Sequence, residues 1–260
     1  MGKKIMKFSN INDYGQFKVT INLNVCSRQK QFKFKTFEEA IKKIKGKDKH
    51  FVNEVCNLNG KVLTYKSETL LPRPKSCCLN KNKVLFVFGN PATHSVKNRM
   101  FFFSKTNGHR HQIWGKLENA GLLDNIKLSN RKKEAENRKL IILNGGTKKK
   151  FIIGLTVFYS FPTPVDTVDA KTISKYCDAK GVEKIFEPII SQINEEEYER
   201  IKSYCFSKGA ILVFTNKNSF TYVSAKKDPI FKKILYWPMN GRKSKESSGI
   251  YLKKNLDKSI

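Results

Sequence analysis

No apolar run in this chain of 260 residues reaches the ~18 residues of a bilayer-spanning helix, so no membrane contact is expected. The opening segment MGKKIMKFSNIND carries charge with no apolar core behind it, unlike a secretion signal, and a cytoplasmic location of the bacterial cytosol or nucleoid type is expected. Cysteines are few and irregularly spaced: Cys26, Cys56, Cys77, Cys78, Cys177 and Cys205 form no C-x-x-C pair, and adjacent Cys77-Cys78 suits no common metal frame. Reduced thiols are the expectation. Phosphate-cradling G-x-x-x-x-G-K-[ST] loops, nucleophile elbows and paired-carboxylate motifs are all missing. His94, His109 and His111 share one stretch, but with no carboxylate or cysteine near them in sequence a metal is not expected there either. The most consequential shortage is of acid: 22 Asp and Glu stand against 51 Lys and Arg, a net charge of +29. Such a field attracts polyanions and speeds their association. A lysine-, asparagine- and isoleucine-rich composition also follows from an AT-rich genome, so charge alone points to nucleic acid without proving it.

What is present is a foldable chain, 39% hydrophobic with 12% aromatic. Residues 1–75 read as a small basic β-β-α-β accessory unit. Gln16–Cys26 alternates over Phe17, Val19, Ile21 and Leu23, and Gln31–Lys35 alternates again, which predicts a hairpin. Thr36 is placed to cap a helix beginning FEEAIKK, and a strand over Lys61–Tyr65 follows the Asn59-Gly60 turn. Residues 70–81, with Pro72 and Pro74, read as a linker.

Residues 76–260 alternate buried strands with helices. The apolar runs Val84–Phe88, Phe151–Tyr159, Ala210–Thr215 and Lys232–Trp237 have the length and β-branched or aromatic content of buried strands. Helices are expected over Ile113–Leu117 with an Ala120-Gly121 C-cap, over Thr172–Ser191, from Asn194 with Glu197 completing a capping-box pair, within 216–231 and from Ser248. Residues 122–150, with basic clusters at 131–133 and 148–150, are left open between a solvated insertion and a phosphate-contacting loop. The pattern predicts an α/β fold, a three-layer sandwich around a central four-stranded parallel sheet. Polar segments close three of its strands, at 89–103, 160–166 and 238–244. The carboxyl ends of such strands are where open α/β sheets hold ligands.

These residues resemble the uracil-DNA glycosylase superfamily, and within it the mismatch-specific uracil/thymine branch. The likeness is carried by FGNPATHS at 88–95, MFFF at 100–103, QIWGKLENAG at 112–121, Gly154-Leu155-Thr156 with Phe161-Pro162-Thr163-Pro164, Gly181–Ile190, and Trp237-Pro238-Met239-Asn240-Gly241-Arg242. It spans about residues 83–255 and departs from the family at Phe88, Trp237 and Met239. The resemblance implies a glycosylase of base-excision repair that flips a base from DNA, double- or single-stranded and uracil-containing, and hydrolyses its N-glycosidic bond without a cofactor, acting as a monomer. Asn90 would hold the attacking water. Gly89, Pro91, Phe102 and Phe103 would bind the base, with Phe102 at the stacking position. Ser95, Thr163, Pro238, Asn240, Arg242 and Lys243 would contact DNA, Arg242 filling the gap left by the flipped base. The altered last motif keeps an alternative open, a catalytically silent DNA- or RNA-binding protein on the same fold.

Overall fold

The computed structural model describes residues 4–12, 15–26, 34–47, 49–73, 81–104, 109–145, 150–163, 189–239 and 248–260. The expected helix over Thr172–Ser191 lies outside them except for its last three residues, as do Asn240, Arg242, Lys243, Cys77, Cys78 and Cys177.

The fold is mixed α/β. Its strands are β1 (Met6–Asn12), β2 (Gln16–Asn22), β3 (Cys56–Asn59), β4 (Val62–Leu70), β5 (Asn82–Phe88), β6 (Phe151–Val157), β7 (Ile211–Phe214) and β8 (Lys233–Tyr236). They form one sheet in the order β1-β2-β4-β6-β5-β7-β8, with β3 paired to β4. The four apolar runs of the sequence are β6, β5, β7 and β8, and they pair in parallel. The other half of the sheet is antiparallel. The halves meet at β4 and β6 through two residue pairs, Thr69↔Thr156 and Leu70↔Leu155. The boundary expected at residue 75 therefore divides neither the sheet nor its hydrophobic core.

Because successive side chains of a strand face opposite ways, the fully apolar runs fill two cores. In β5, Leu85 and Val87 face one core, while Val84, Phe86 and Phe88 face the other. The first core is covered by α2 (Phe34–Lys47), α6 (Ile190–Ser203) and α7 (Lys217–Lys226), through Phe37, Ile41, Ile44, Ile193, Ile201 and Val223. The second is covered by α4 (Gln112–Asn119), α5 (Arg131–Leu143) and α8 (Ser248–Asp257), through Ile113, Trp114, Leu117, Ile142, Leu252 and Leu256. Two shorter helices, α1 (Leu23–Cys26) and α3 (Thr93–Asn98), complete the numbering. Among the described residues no helix is long and apolar enough to cross a membrane.

Five local expectations are corrected. The hairpin partner of β2 is β1, not Gln31–Lys35, and Phe34 and Lys35 already belong to α2. For the same reason Thr36 is inside that helix, not its cap. The strand after Asn59-Gly60 runs on to Leu70 and pairs with β2, β3 and β6. Asn194 is interior to α6, which starts at Ile190, so Asn194 and Glu197 form no capping box. Residues 131–143, read as an insertion or a loop, are a helix. The Asn130 side chain caps it by accepting from the Lys132 and Lys133 amides at 3.0 and 3.1 Å.

Glu134 anchors that helix. Its buried carboxylate lies 2.8 Å from Arg131 and 3.2 Å from Arg110, accepts from the Leu128 amide at 3.0 Å, and pairs with Arg138. Burial alone would raise its carboxyl. The Leu128 amide and the Arg138 and Arg131 guanidiniums outweigh burial and hold it below the usual glutamate value. Arg138 also sits 5.1 Å over the Trp114 ring, so α5 is locked onto α4.

Candidate functional site

The site is built where β5 and β6 end side by side. Beyond Phe88 the chain leaves the strand as Gly89-Asn90-Pro91, since Pro91 has no N–H to continue a ladder. Beyond Val157 the chain runs on beside it. Phe158 and Tyr159 donate to the carbonyls of Phe88 and Gly89 at 2.8 and 3.2 Å. Thr163 donates to Pro91 at 2.7 Å, and Thr93 donates back to Thr163 at 3.1 Å. A parallel bridge joins Ala92 and Thr163. The two strand ends are thus fixed against each other by backbone alone.

Asn90 sits inside this frame. Its Nδ2 donates to the Phe161 carbonyl at 3.0 Å. A backbone carbonyl only accepts, so this contact sets the amide's orientation and turns Oδ1 the other way. Oδ1 is buried and has no hydrogen-bond partner among the described residues, and the same is true of the Thr163 hydroxyl. A buried acceptor left open costs about 1–3 kcal/mol, and such groups call for a ligand or a water.

A third strand end brings a residue that sequence reasoning passed over. Asn216 follows β7 and caps α7, its Oδ1 accepting from the Ser219 amide at 3.0 Å. That bond directs Nδ2 elsewhere, and it lies 3.8 Å from where a Cβ on Gly89 would be. The sequence signal was available: the buried run ILVF ends in Thr215-Asn216, a polar amide at the carboxyl end of a central strand, as at Asn90. Among the described residues a Cβ at Gly89 would meet nothing closer than this 3.8 Å contact, so their packing does not require glycine there.

The remaining predicted residues fall as follows. Pro91 is buried and Gly89 half-buried. Phe101 is core, 7% exposed, whereas Phe102 and Phe103 are half-buried. The Phe102 ring packs 4.7 Å from Phe88, the last residue of β5, and 4.6 Å from His111 at 36°. Its φ of 48° is left-handed, a strained state for a bulky residue, and Trp114 Nε1 holds its carbonyl at 3.0 Å. Ser95 is in α3 and 2% exposed; its placement is inward, with Lys97 and Arg99 exposed beside it. Pro238 is half-buried after β8. Next to it, Lys116 donates to the Met239 carbonyl, and burial lowers the Lys116 ammonium below the usual lysine value. Trp237 is 1% exposed, its indole N–H given to Ser248. The structure therefore brings together Asn90, Gly89, Pro91, Thr163 and the unpredicted Asn216, with Phe102 joined to them through Phe88. Pro238 stands one strand beyond β7.

Exposed cations near these residues are Lys97, Arg99 and Lys217. Among the described residues no three His, Cys, Asp or Glu side chains gather as metal ligands do. The arrangement offers an open acceptor, an amide donor, an aromatic ring and positive charge, a set suited to an anionic, planar ligand with a water at its edge. No protein-family model and no curated protein sequence matches this chain.

Proposed function

We propose that the chain is a DNA glycosylase of the uracil-DNA glycosylase type, hydrolysing the N-glycosidic bond of uracil or a related base. The observation that carries this reading is the Asn90 amide: oriented by the Phe161 carbonyl, with Oδ1 buried and open. In the proposed reaction Oδ1 accepts from a water and aims its lone pair at the sugar carbon. An amide is a weak base, so orientation rather than proton removal is its contribution. The departing base carries negative charge. Donors such as Asn216 Nδ2, and the surrounding lysines and arginines, stabilise that charge as it develops.

The base must first leave the duplex, at a cost of a few kcal/mol. Phosphate contacts from a chain of net charge +29 offset that cost, as does stacking on an aromatic face, worth about 1–3 kcal/mol. Phe102 is the ring assigned to this, on the strength of its half-exposure and its strained backbone. DNA, in one or two strands, is the proposed partner, and the protein is proposed to act as a monomer in the cytoplasm.

The test is a labelled oligonucleotide carrying one uracil, incubated with the protein and cleaved by alkali at abasic sites. Product from single- or double-stranded substrate, absent from the thymine control, is the expected result. A second reading is favoured by Trp237: its side chain is committed to the core at a position where the resemblance places a reactive polar group. On that reading the same fold binds DNA or RNA without cleavage. Tight binding with no product would establish it, and competition by matched RNA would decide the nucleic acid.

A further inference from the structure

We propose that Glu197 is a positioning residue for Asn90, acting through Ser160 and Phe161. The inference rests on the reading of Asn90 as the water-holding amide. Phe161, whose carbonyl orients Asn90, directly follows Ser160 in the segment that leaves β6. Ser160 is gripped by one carboxylate oxygen: Glu197 Oε1 accepts from the Ser160 amide at 2.9 Å and from the Ser160 hydroxyl. Tyr65, on β4, adds its hydroxyl to Ser160 Oγ at 2.9 Å. The grip is applied by α6, which covers the first core.

Glu197 is itself fixed. Its Oε2 accepts from Arg200 Nε at 2.6 Å, with both side chains 1% exposed. Arg200 spends its other donors on Thr156 Oγ1 at 3.3 Å, the Tyr204 hydroxyl and the Val157 carbonyl. Its guanidinium lies 4.7 Å over the Phe17 ring. The last two residues of β6 and the loop after it are therefore referenced to a single buried ion pair. Such a pair is a poor source of stability, because desolvation opposes the attraction. It is a good source of rigidity, because each donor has one acceptor and no water competes. A catalytic amide needs that rigidity: a misplacement of about 1 Å at a reacting group costs on the order of 100-fold in rate.

Replacing Glu197 by Gln keeps the shape but presents one oxygen and one NH2 where two acceptors stood. Either Ser160 or Arg200 then faces a donor, and the segment shifts. The direct readout is the side-chain NH2 resonance pair of Asn90 in a 15N–1H correlation spectrum, assigned by its loss in Asn90→Ala. In Glu197→Gln that pair is expected to move, with DNA affinity within about twofold and single-turnover excision slower by roughly 10- to 100-fold at unchanged KM. Ser160→Ala leaves the ion pair whole and removes only the hydroxyl link. It is expected to move the same resonances, and it decides the matter if Glu197→Gln does not fold. Resonances that superimpose on the wild type in the folded variants overturn the proposal. A wild-type protein that excises nothing while its Asn90 resonances respond removes the glycosylase reading and leaves the positioning role standing.

Discussion

Trp114 Nε1 donates to the main-chain carbonyl of Phe102 at 3.0 Å, across the gap between α4 and the loop that leads into it. The bond holds a residue whose φ is 48°, a conformation that a phenylalanine does not keep unaided. Trp114→Phe keeps an aromatic ring in the core but removes the donor, together with part of the buried indole that lies under Arg138. Unfolding in urea is expected to show a loss of about 1–3 kcal/mol, the cost of leaving a partly buried carbonyl without its partner. An unchanged midpoint would show that the loop does not need the bond.

Asn90→Ala removes the oriented acceptor and touches no cation. Excision of uracil is expected to fall below detection, while the dissociation constant for DNA stays within a few-fold, since phosphate contacts dominate affinity. Unchanged turnover would take Asn90 out of the mechanism.

Gly89→Ala separates packing from ligand approach. Among the described residues the added methyl would meet only Asn216, at 3.8 Å, so stability is expected to stay within about 0.5 kcal/mol, as for substitutions away from crowded sites. A ligand lying against the strand end would be displaced, and substrate KM should rise. Equal KM for the two proteins would place the ligand elsewhere.

Glu68 makes stability depend on pH. Burial raises its carboxyl well above the usual 4.5, and its Oε2 has no partner among the described residues. The folded chain keeps a proton that the unfolded chain releases near pH 4.5. The contribution of this group is full below that value and is lost as pH rises toward the raised one, at up to ~1.4 kcal/mol per pH unit. Glu68→Gln cannot ionise and should flatten that decline in denaturation curves taken between pH 4.5 and neutrality. Parallel curves for the two proteins would exclude it. Glu196, also raised by burial, acts in the same direction in both.

The four parallel strands were legible because a strand covered on both faces has no polar position to interrupt it. The α4 boundary was legible too: Gly121, at φ 73°, reverses the chain, with its amide bonded to Glu118 and that of Leu122 to Leu117. The strand β1, MKFSNIN, was not, since its polar residues on an edge leave no regular alternation. The helix α5 was hidden by its charge. Glu134, Arg138 and Ile142 recur every four residues and are buried together, but a carboxylate and a guanidinium do not register as core until their partners are known. Glu197 was misread for the same reason. It stands between Ile193 and Ile201 at helical spacing, inside the apolar stripe of α6, and all three are buried. In the site, Asn90 was readable from Gly-Asn-Pro after an apolar run. Asn216 was equally exposed to that reasoning and was missed because no proline or glycine marks it.

The seam between β4 and β6 has a consequence for any attempt to dissect this protein. Among the described residues only two pairs stitch the antiparallel strands to the parallel ones, yet Tyr65 on β4 reaches Ser160, and Phe17 and Ile21 share a core with Leu85 and Ile152. A fragment starting at residue 76 would uncover the flank of β6 and strip that core of its lining. The parallel strands are thus no transplantable cassette: whatever chemistry they carry travels only with the small basic region that precedes them.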